Sequence, residues 1–175
     1  LILKPIASGS SFGINILKDI NSINLFTKNI NDNLNIYQNH NEIMIEKYIE
    51  GRELTVSVIE ENNCSEAIEV TEIISYNSFF DYESKYTPGF SKHILPADIP
   101  IKIYDQCKYQ AKLAHDQIQC KGISRSDFIY SNDTIFFLEI NTQPGLTPIS
   151  LVPEQLKYRG ISFDNLVLNL IECTL

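Results

Sequence analysis

The chain has 175 residues, a formal net charge of -8 and an apolar fraction of 43%, enough to bury a core in one compact domain or in one and part of another. Its acidity sets most of the surface against phosphate backbones and anionic headgroups, which argues against nucleic acid and membrane as partners. No apolar run approaches the roughly 20 residues of a spanning helix, Leu1-Ile2-Leu3-Lys4-Pro5 is too short for a signal peptide, and a cytoplasmic location is expected.

Leu1 to Lys4 reads as a short strand running into the small-residue loop Ser8-Gly9-Ser10-Ser11-Phe12-Gly13, after which Ile14 to Leu17 resumes apolar character. Asn21 to Gln38 places Ile23, Phe26, Ile30 and Leu34 at helical intervals, against the low helix propensity of its asparagines. Strands are expected over Glu42 to Ile49 and Leu54 to Ile59, with Asn62-Asn63 turning into a further strand from Ala67 to Ile74. Ser75 to Ala97 keeps no steady period and reads as a functional loop or lid. Ile99, Ile103, Cys107, Ala111, Ala114 and Ile118 make one apolar stripe, so a helix is expected there, with Asp98 as its cap and Pro100 in its first turn. Strands Ile123 to Tyr130 and Ile135 to Ile140 flank the turn Ser131-Asn132-Asp133, and Phe163 to Ile171 is helical in period. The fold class is therefore α+β.

Cys64, Cys107, Cys120 and Cys173 show no zinc or redox spacing and read as reduced thiols, mostly in the core. His40, His93 and His115 have no triad or metal spacing and receive no role.

The hairpin carries the strongest chemistry. With its turn centred on Asp133, Asp127 falls opposite Glu139 and Arg125 opposite Asn141, all on one face, with Phe136, Leu138 and Ile140 on the other. Facing carboxylates destabilise a sheet unless a positive charge lies between them, and the oxygens of Asp127, Glu139 and Asn141 suit Mg²⁺. Taken alone, such a pattern is more often a solvated hairpin edge. The Gly9 to Gly13 loop is open in the same way between phosphate cover and plain turn, since it matches neither a P-loop nor a dinucleotide fingerprint. Phe80-Asp81-Tyr82-Glu83-Ser84-Lys85-Tyr86 suits a lid that brings a cation to a closing site, or a surface loop with inward aromatics.

In their order along the chain, Lys4-Pro5, Gly9 to Gly13, Glu46-Lys47-Tyr48-Ile49-Glu50-Gly51-Arg52-Glu53, Phe80 to Tyr86, Gly122 to Phe128, Leu138 to Thr147 and Ser150-Leu151-Val152-Pro153 resemble the D-alanine:D-alanine ligases. That resemblance implies an ATP-grasp fold, an antiparallel sheet flanked by helices with part of a second small α+β domain at the N-terminus. It implies that residues 1–46 are half of a central domain, that 47–175 are the C-terminal catalytic domain, and that an N-terminal substrate domain is absent, leaving the chain inactive alone. It implies ATP contacts from Lys4, Ser11, Glu46, Lys47, Ile49, Glu53 and Lys85, and two Mg²⁺, with Mn²⁺ as a substitute, on Asp127, Glu139 and Asn141. Ser10 and Tyr86 would pin the lid, Arg125 and the Gly145 N–H would hold an oxyanion, and Lys85, Ser150 and Leu151 would hold the second D-alanine. Ser8 departs from the glutamate that many members carry. The implied partners are D-alanine, ATP and the missing N-terminal half, with a homodimer as the assembly to test. Two rival readings stand beside this one: another ATP-grasp carboxylate-amine ligase, and a non-catalytic nucleotide-binding remnant.

Overall fold

The computed structural model describes residues 1–6, 13–28, 42–75 and 91–173. Two compact units emerge, Leu1–Ile49 with Ser75–Ser91, and Glu50–Ile74 with Lys92–Leu175.

In the first unit β1 (Ile2–Pro5), β2 (Asn15–Ile16) and β3 (Ile43–Glu46) form an antiparallel sheet with β1 in the middle. Leu3 is buried, as is Leu17 just beyond β2. Pairing with β2 involves only Ile2 and Leu3, so Pro5, with no N–H to donate, lies past its end. α1 (Ile20–Lys28) starts at a reciprocal cap: the Asp19 carboxylate accepts the Ser22 N–H at 2.7 Å, and Ser22 Oγ accepts the Asp19 N–H at 3.1 Å. The rest of the helix expected to reach Gln38 lies outside the described residues.

The second unit is built on a sheet in the order β6-β5-β4-β7-β8, from β4 (Arg52–Glu61), β5 (Cys64–Ser75), β6 (Ser91–Ile94), β7 (Ile123–Ser131) and β8 (Thr134–Asn141). Asn62 and Asn63 join β4 to β5 with φ of 51° and 60°, the left-handed pair that a two-residue hairpin turn requires. Alternation along the strands then feeds two cores. Leu54, Val56, Val58, Val70 and Phe128 pack with Ile103, Cys107 and Ala111 of α2 (Ile101–Gln117). Ile59, Ile68 and Ile123 pack with Val152 and Leu156 of α3 (Leu151–Tyr158) and Leu166 of α4 (Phe163–Glu172). Helix α2 thus covers one face of the sheet, and α3 with α4 cover part of the other.

Several expectations are corrected. Helix α2 begins at Ile101, with Pro100 at the N-cap and no side-chain cap. Asp98 is not that cap; its carbonyl accepts Arg52 Nη2 at 2.8 Å, an ion-paired arginine that also forks onto Glu72. The buried stripe of α2 ends in His115, and Ile118 is exposed. Helix α3 was hidden by Pro153, although a first-turn proline lacks only an N–H that the helix leaves unused. Of the four free thiols only Cys107 is buried, and burial pushes its pKa up to about 12. No helix among the described residues is long and apolar enough to cross a membrane.

His115 Nδ1 lies 2.8 Å from Ser124 Oγ, and its Nε2 is 3.9 Å from Glu60 Oε2. Burial holds this imidazole below its ordinary pKa, and the Lys121 hydrogen bond holds the Glu60 carboxyl below the usual carboxylate range. The unfolded imidazole takes up a proton near pH 6.5 that the folded site resists, so its contribution to stability is present above that pH and lost below it. The urea midpoint should therefore fall between about pH 7.5 and about pH 5.5, and fall less in His115→Gln. An equal slope in the variant would refute this origin.

Candidate functional site

The register of the β7–β8 hairpin decides where the expected residues stand. Asn132 and Asp133 take left-handed φ of 48° and 58°, making a two-residue turn rather than one centred on Asp133. Ser131 pairs with Thr134 and Phe128 with Phe137; the pairing then shifts and leaves Leu138 as an inserted residue. Beyond the shift Asp127 lies opposite Glu139 and Arg125 opposite Asn141. The expected partners are reached, by a tighter turn plus a bulge. The expected apolar face is corrected with it. Phe136 stands opposite Ile129 on the carboxylate side, whereas Ile135, Phe137 and Ile140 share the far side, where Phe137 meets Phe128 edge-on at 5.3 Å.

Asp127 is held by three neighbours. Arg125 forks onto it, Nε to Oδ1 at 2.9 Å and Nη2 to Oδ2 at 2.8 Å. Thr55, its partner on β4, donates to Oδ1 at 2.7 Å, and Asn141 Nδ2 donates to Oδ2 at 3.2 Å. The Arg125 and Asp127 side chains are 16% and 21% exposed, shielded yet reachable. Arg125 therefore supplies a positive charge beside the facing carboxylates. The donor set still fits Mg²⁺: Asp127, the exposed Glu139 and the Asn141 carbonyl offer hard oxygens on one face. Among the described residues no group of three or more His, Cys, Asp or Glu is placed to hold a metal, so phosphate or water oxygens would have to complete the shell.

After Asn141 the chain turns through the buried Pro144 and the exposed Gly145 into α3. A Cβ on Gly145 would lie 3.0 Å from Ser150 Oγ, so glycine lets the backbone approach that hydroxyl. Ser150 occupies the N-cap of α3 without capping through its side chain. Its Oγ instead accepts the Thr147 N–H at 3.0 Å and bonds Thr147 Oγ1 at 2.8 Å. The first N–H groups of α3, Leu151 among them, keep the partial positive charge that favours a carboxylate.

Two residues escaped the sequence reading. Thr55 was signalled weakly by Leu54-Thr55-Val56-Ser57-Val58, whose hydroxyls alternate to one side. Gln155 gave no signal. It is fully buried, its Oε1 accepts the Ser57 N–H at 2.9 Å, and its Nε2 donates to the Thr55 carbonyl at 3.2 Å and to Thr71 Oγ1 at 2.9 Å. Of the histidines, His93 Nδ1 lies 2.7 Å from Glu154 Oε2, and His40 is outside the described residues.

In the first unit Lys4 and Glu46, expected on the phosphates and the adenine, form an ion pair across β1 and β3. Lys47 is exposed and Ile49 half-buried. In the second unit Glu53 lies opposite Ile129, on the Thr55 side of β4. Ser10, Ser11, Lys85 and Tyr86 lie outside the described residues.

The sequence matches the family model for the D-ala D-ala ligase C-terminus over residues 1–172. It is 44% identical over 173 residues to the D-alanine--D-alanine ligase of Caulobacter vibrioides, across 98% of this chain and 52% of that protein. With the corresponding ligase of Agrobacterium fabrum it shares 41% identity, across 98% and 55%. Among solved structures it resembles the D-alanine--D-alanine ligase from Bacillus anthracis, with 25% identity, a TM-score of 0.75, and coverage of 98% of this chain and 53% of that one. The VanG D-Ala:D-Ser ligase from Enterococcus faecalis gives 29% identity, a TM-score of 0.74, and coverage of 99% and 49%. The chain spans about half the length of the curated relatives it matches. Its α+β architecture is the ATP-grasp fold of those ligases, and with the family model spanning both units, the chain belongs to the D-alanine:D-alanine ligase family as its C-terminal part.

Proposed function

We propose that this chain is the ATP-binding catalytic portion of a cytoplasmic enzyme that joins two D-alanines through an acyl phosphate, for peptidoglycan precursor synthesis. The observation that carries the reading is the β7–β8 register, which sets Asp127 against Glu139 and Arg125 against Asn141 on one face. Residues 1–46 are then part of a central ATP-binding domain and 47–175 the catalytic domain. An N-terminal half of the kind its relatives carry is the structural partner, and a homodimer the assembly.

In this reading Lys4 and Ser11 hold the ATP phosphates, Glu46, Lys47 and Ile49 line the adenine, and Glu53 accepts from the ribose. Two Mg²⁺, replaceable by Mn²⁺, would be held by Asp127, Glu139 and Asn141 and would neutralise charge on the transferred phosphoryl group. The first D-alanine carboxylate takes the γ-phosphoryl group of ATP, releasing ADP, and the amine of the second attacks the resulting acyl phosphate, forming the peptide bond, losing a proton and expelling inorganic phosphate. Arg125 and the Gly145 N–H hold the oxyanion of that step; the fork onto Asp127 fixes the guanidinium beforehand, which spares reorganisation. Lys85, Ser150 and the Leu151 N–H take the acceptor carboxylate. Lys85 also reaches the nucleotide, and Tyr86 with Ser10 shuts the lid and favours D-alanine as acceptor.

A second reading is a nucleotide-binding remnant without catalysis. Phosphate release from ATP with Mg²⁺ and D-alanine separates the two, measured on this chain and on the chain joined to an N-terminal half. Release dependent on D-alanine from the joined form alone supports the ligase; none from either leaves the remnant. In the complete enzyme Asp127→Asn and Glu139→Gln should each lower kcat by about 10²-fold or more with the circular dichroism unchanged. Wild-type turnover in either would sink the metal assignment. Thr55→Val should raise the half-saturating Mg²⁺ concentration by roughly 10–100-fold, and an unaltered Mg²⁺ titration would remove Thr55 from its place behind Asp127.

A further inference from the structure

Helix α3 meets the sheet through two kinds of contact. Val152 and Leu156 enter an apolar cluster with Ile59, Ile68 and Ile123, contacts that attract without fixing direction. Between them in sequence stands Gln155, fully buried, with all three of its hydrogen bonds running to β4 and β5. Its Oε1 takes the Ser57 N–H where the β4–β5 register shifts between Val56 and Val58, so a helix side chain replaces a ladder bond. Its Nε2 takes the Thr55 carbonyl and the Thr71 hydroxyl. These bonds are directional, and a buried amide that loses them is left unsatisfied. Sliding α3 along the sheet therefore breaks several bonds together.

The two β4 residues so gripped back the hairpin face. The Thr55 hydroxyl donates to Asp127, and Ser57 pairs with Arg125 in the β4–β7 ladder. At the start of the same helix, one turn before Gln155, stand Ser150 and Leu151, the N-cap and first residue. One side chain thus ties the start of α3 to the strand that backs Arg125 and Asp127.

We propose that Gln155 is a positioning residue, which holds the acceptor-carboxylate turn at Ser150 and Leu151 in register with the Arg125–Asp127 face. This rests on the ligase reading above. The Gln155 amide touches neither substrate nor metal; it sets the distance between the place where the second D-alanine is held and the place where its amine must attack. Attack geometry is steep in distance, so a small displacement of α3 is felt by the acceptor far more than by ATP.

The test uses the complete enzyme and three variants. Gln155→Met keeps the length and loses every bond, Gln155→Glu keeps the acceptor for the Ser57 N–H and loses the donors, and Thr71→Val removes one partner from the opposite side. KM for the acceptor D-alanine, KM for ATP, kcat and Tm are measured for each. Gln155→Met should raise the acceptor KM on the order of tenfold to a hundredfold with KM for ATP unchanged. Gln155→Glu and Thr71→Val should shift the same ratio in the same direction by less. A merely structural glutamine would lower Tm and leave that ratio alone, and a constant ratio across the variants that fold overturns the proposal. If Gln155→Met does not fold, the other two decide by the same criterion. Wild-type enzyme that releases no phosphate with D-alanine refutes the ligase reading and this proposal with it, whereas an active wild type with a constant ratio refutes the proposal alone.

Discussion

The Arg125–Asp127 fork is the interaction around which the second unit is organised. The Asp127 carboxylate is only one-fifth exposed and loses much of its hydration, so donors must replace that water. The donors come from three adjacent strands: Arg125 from β7 itself, Thr55 from β4 and Asn141 from β8. The order β4-β7-β8 and the register across both ladders must therefore hold together, because a slip in either carries a donor to the wrong side.

The rest of the unit keeps that arrangement in place. On one side α2 seals the sheet with Ile103, Cys107 and Ala111 against Leu54, Val56 and Val58. On the other, apolar packing is confined to the end near Ile59 and Ile123, and the polar row of Thr55, Arg125 and Asp127 follows directly along the same face. Strand β4 serves both, sending its even residues from Leu54 to Val58 into the core and Glu53 and Thr55 toward the site. Two of its buried polar residues, Thr55 and Ser57, lie on the site's side, while Glu60 accepts from Lys121.

Much of this could be read from the sequence because period-two alternation and asparagine turns are local signals. Asn62-Asn63 and Asn132-Asp133 announced their hairpins, and the Asp127–Glu139 pairing followed from a residue count. That count reached the right pair through a wrong turn, since the bulge at Leu138 restores the parity that the shorter turn removes; a bulge is a tertiary choice and leaves no mark in a short window. Asp98 looked like a helix cap, yet Arg52, far away in sequence, claims its carbonyl. Helix α3 was concealed by Pro153, and with it Gln155, whose partners Ser57, Thr55 and Thr71 are assembled only by folding. The Lys4–Glu46 pair leaves no local signal for the same reason: only the pairing of β1 with β3 brings the two residues together.

The bulge at Leu138 also governs how this hairpin can change over generations. Substitutions at Phe136 or Leu138, both exposed on an edge strand, leave the pairing of Asp127 with Glu139 untouched. Loss of one residue between the turn and Glu139 can be absorbed by closing the bulge, because an unbroken ladder from the two-residue turn also sets Asp127 opposite Glu139. Changes of two residues at the turn preserve the side on which Glu139 and Asn141 emerge. A change of length is thus harmless where the bulge or the turn absorbs it; one taken up by the ladder alone would keep a well-formed sheet and lose the oxygens that face Arg125.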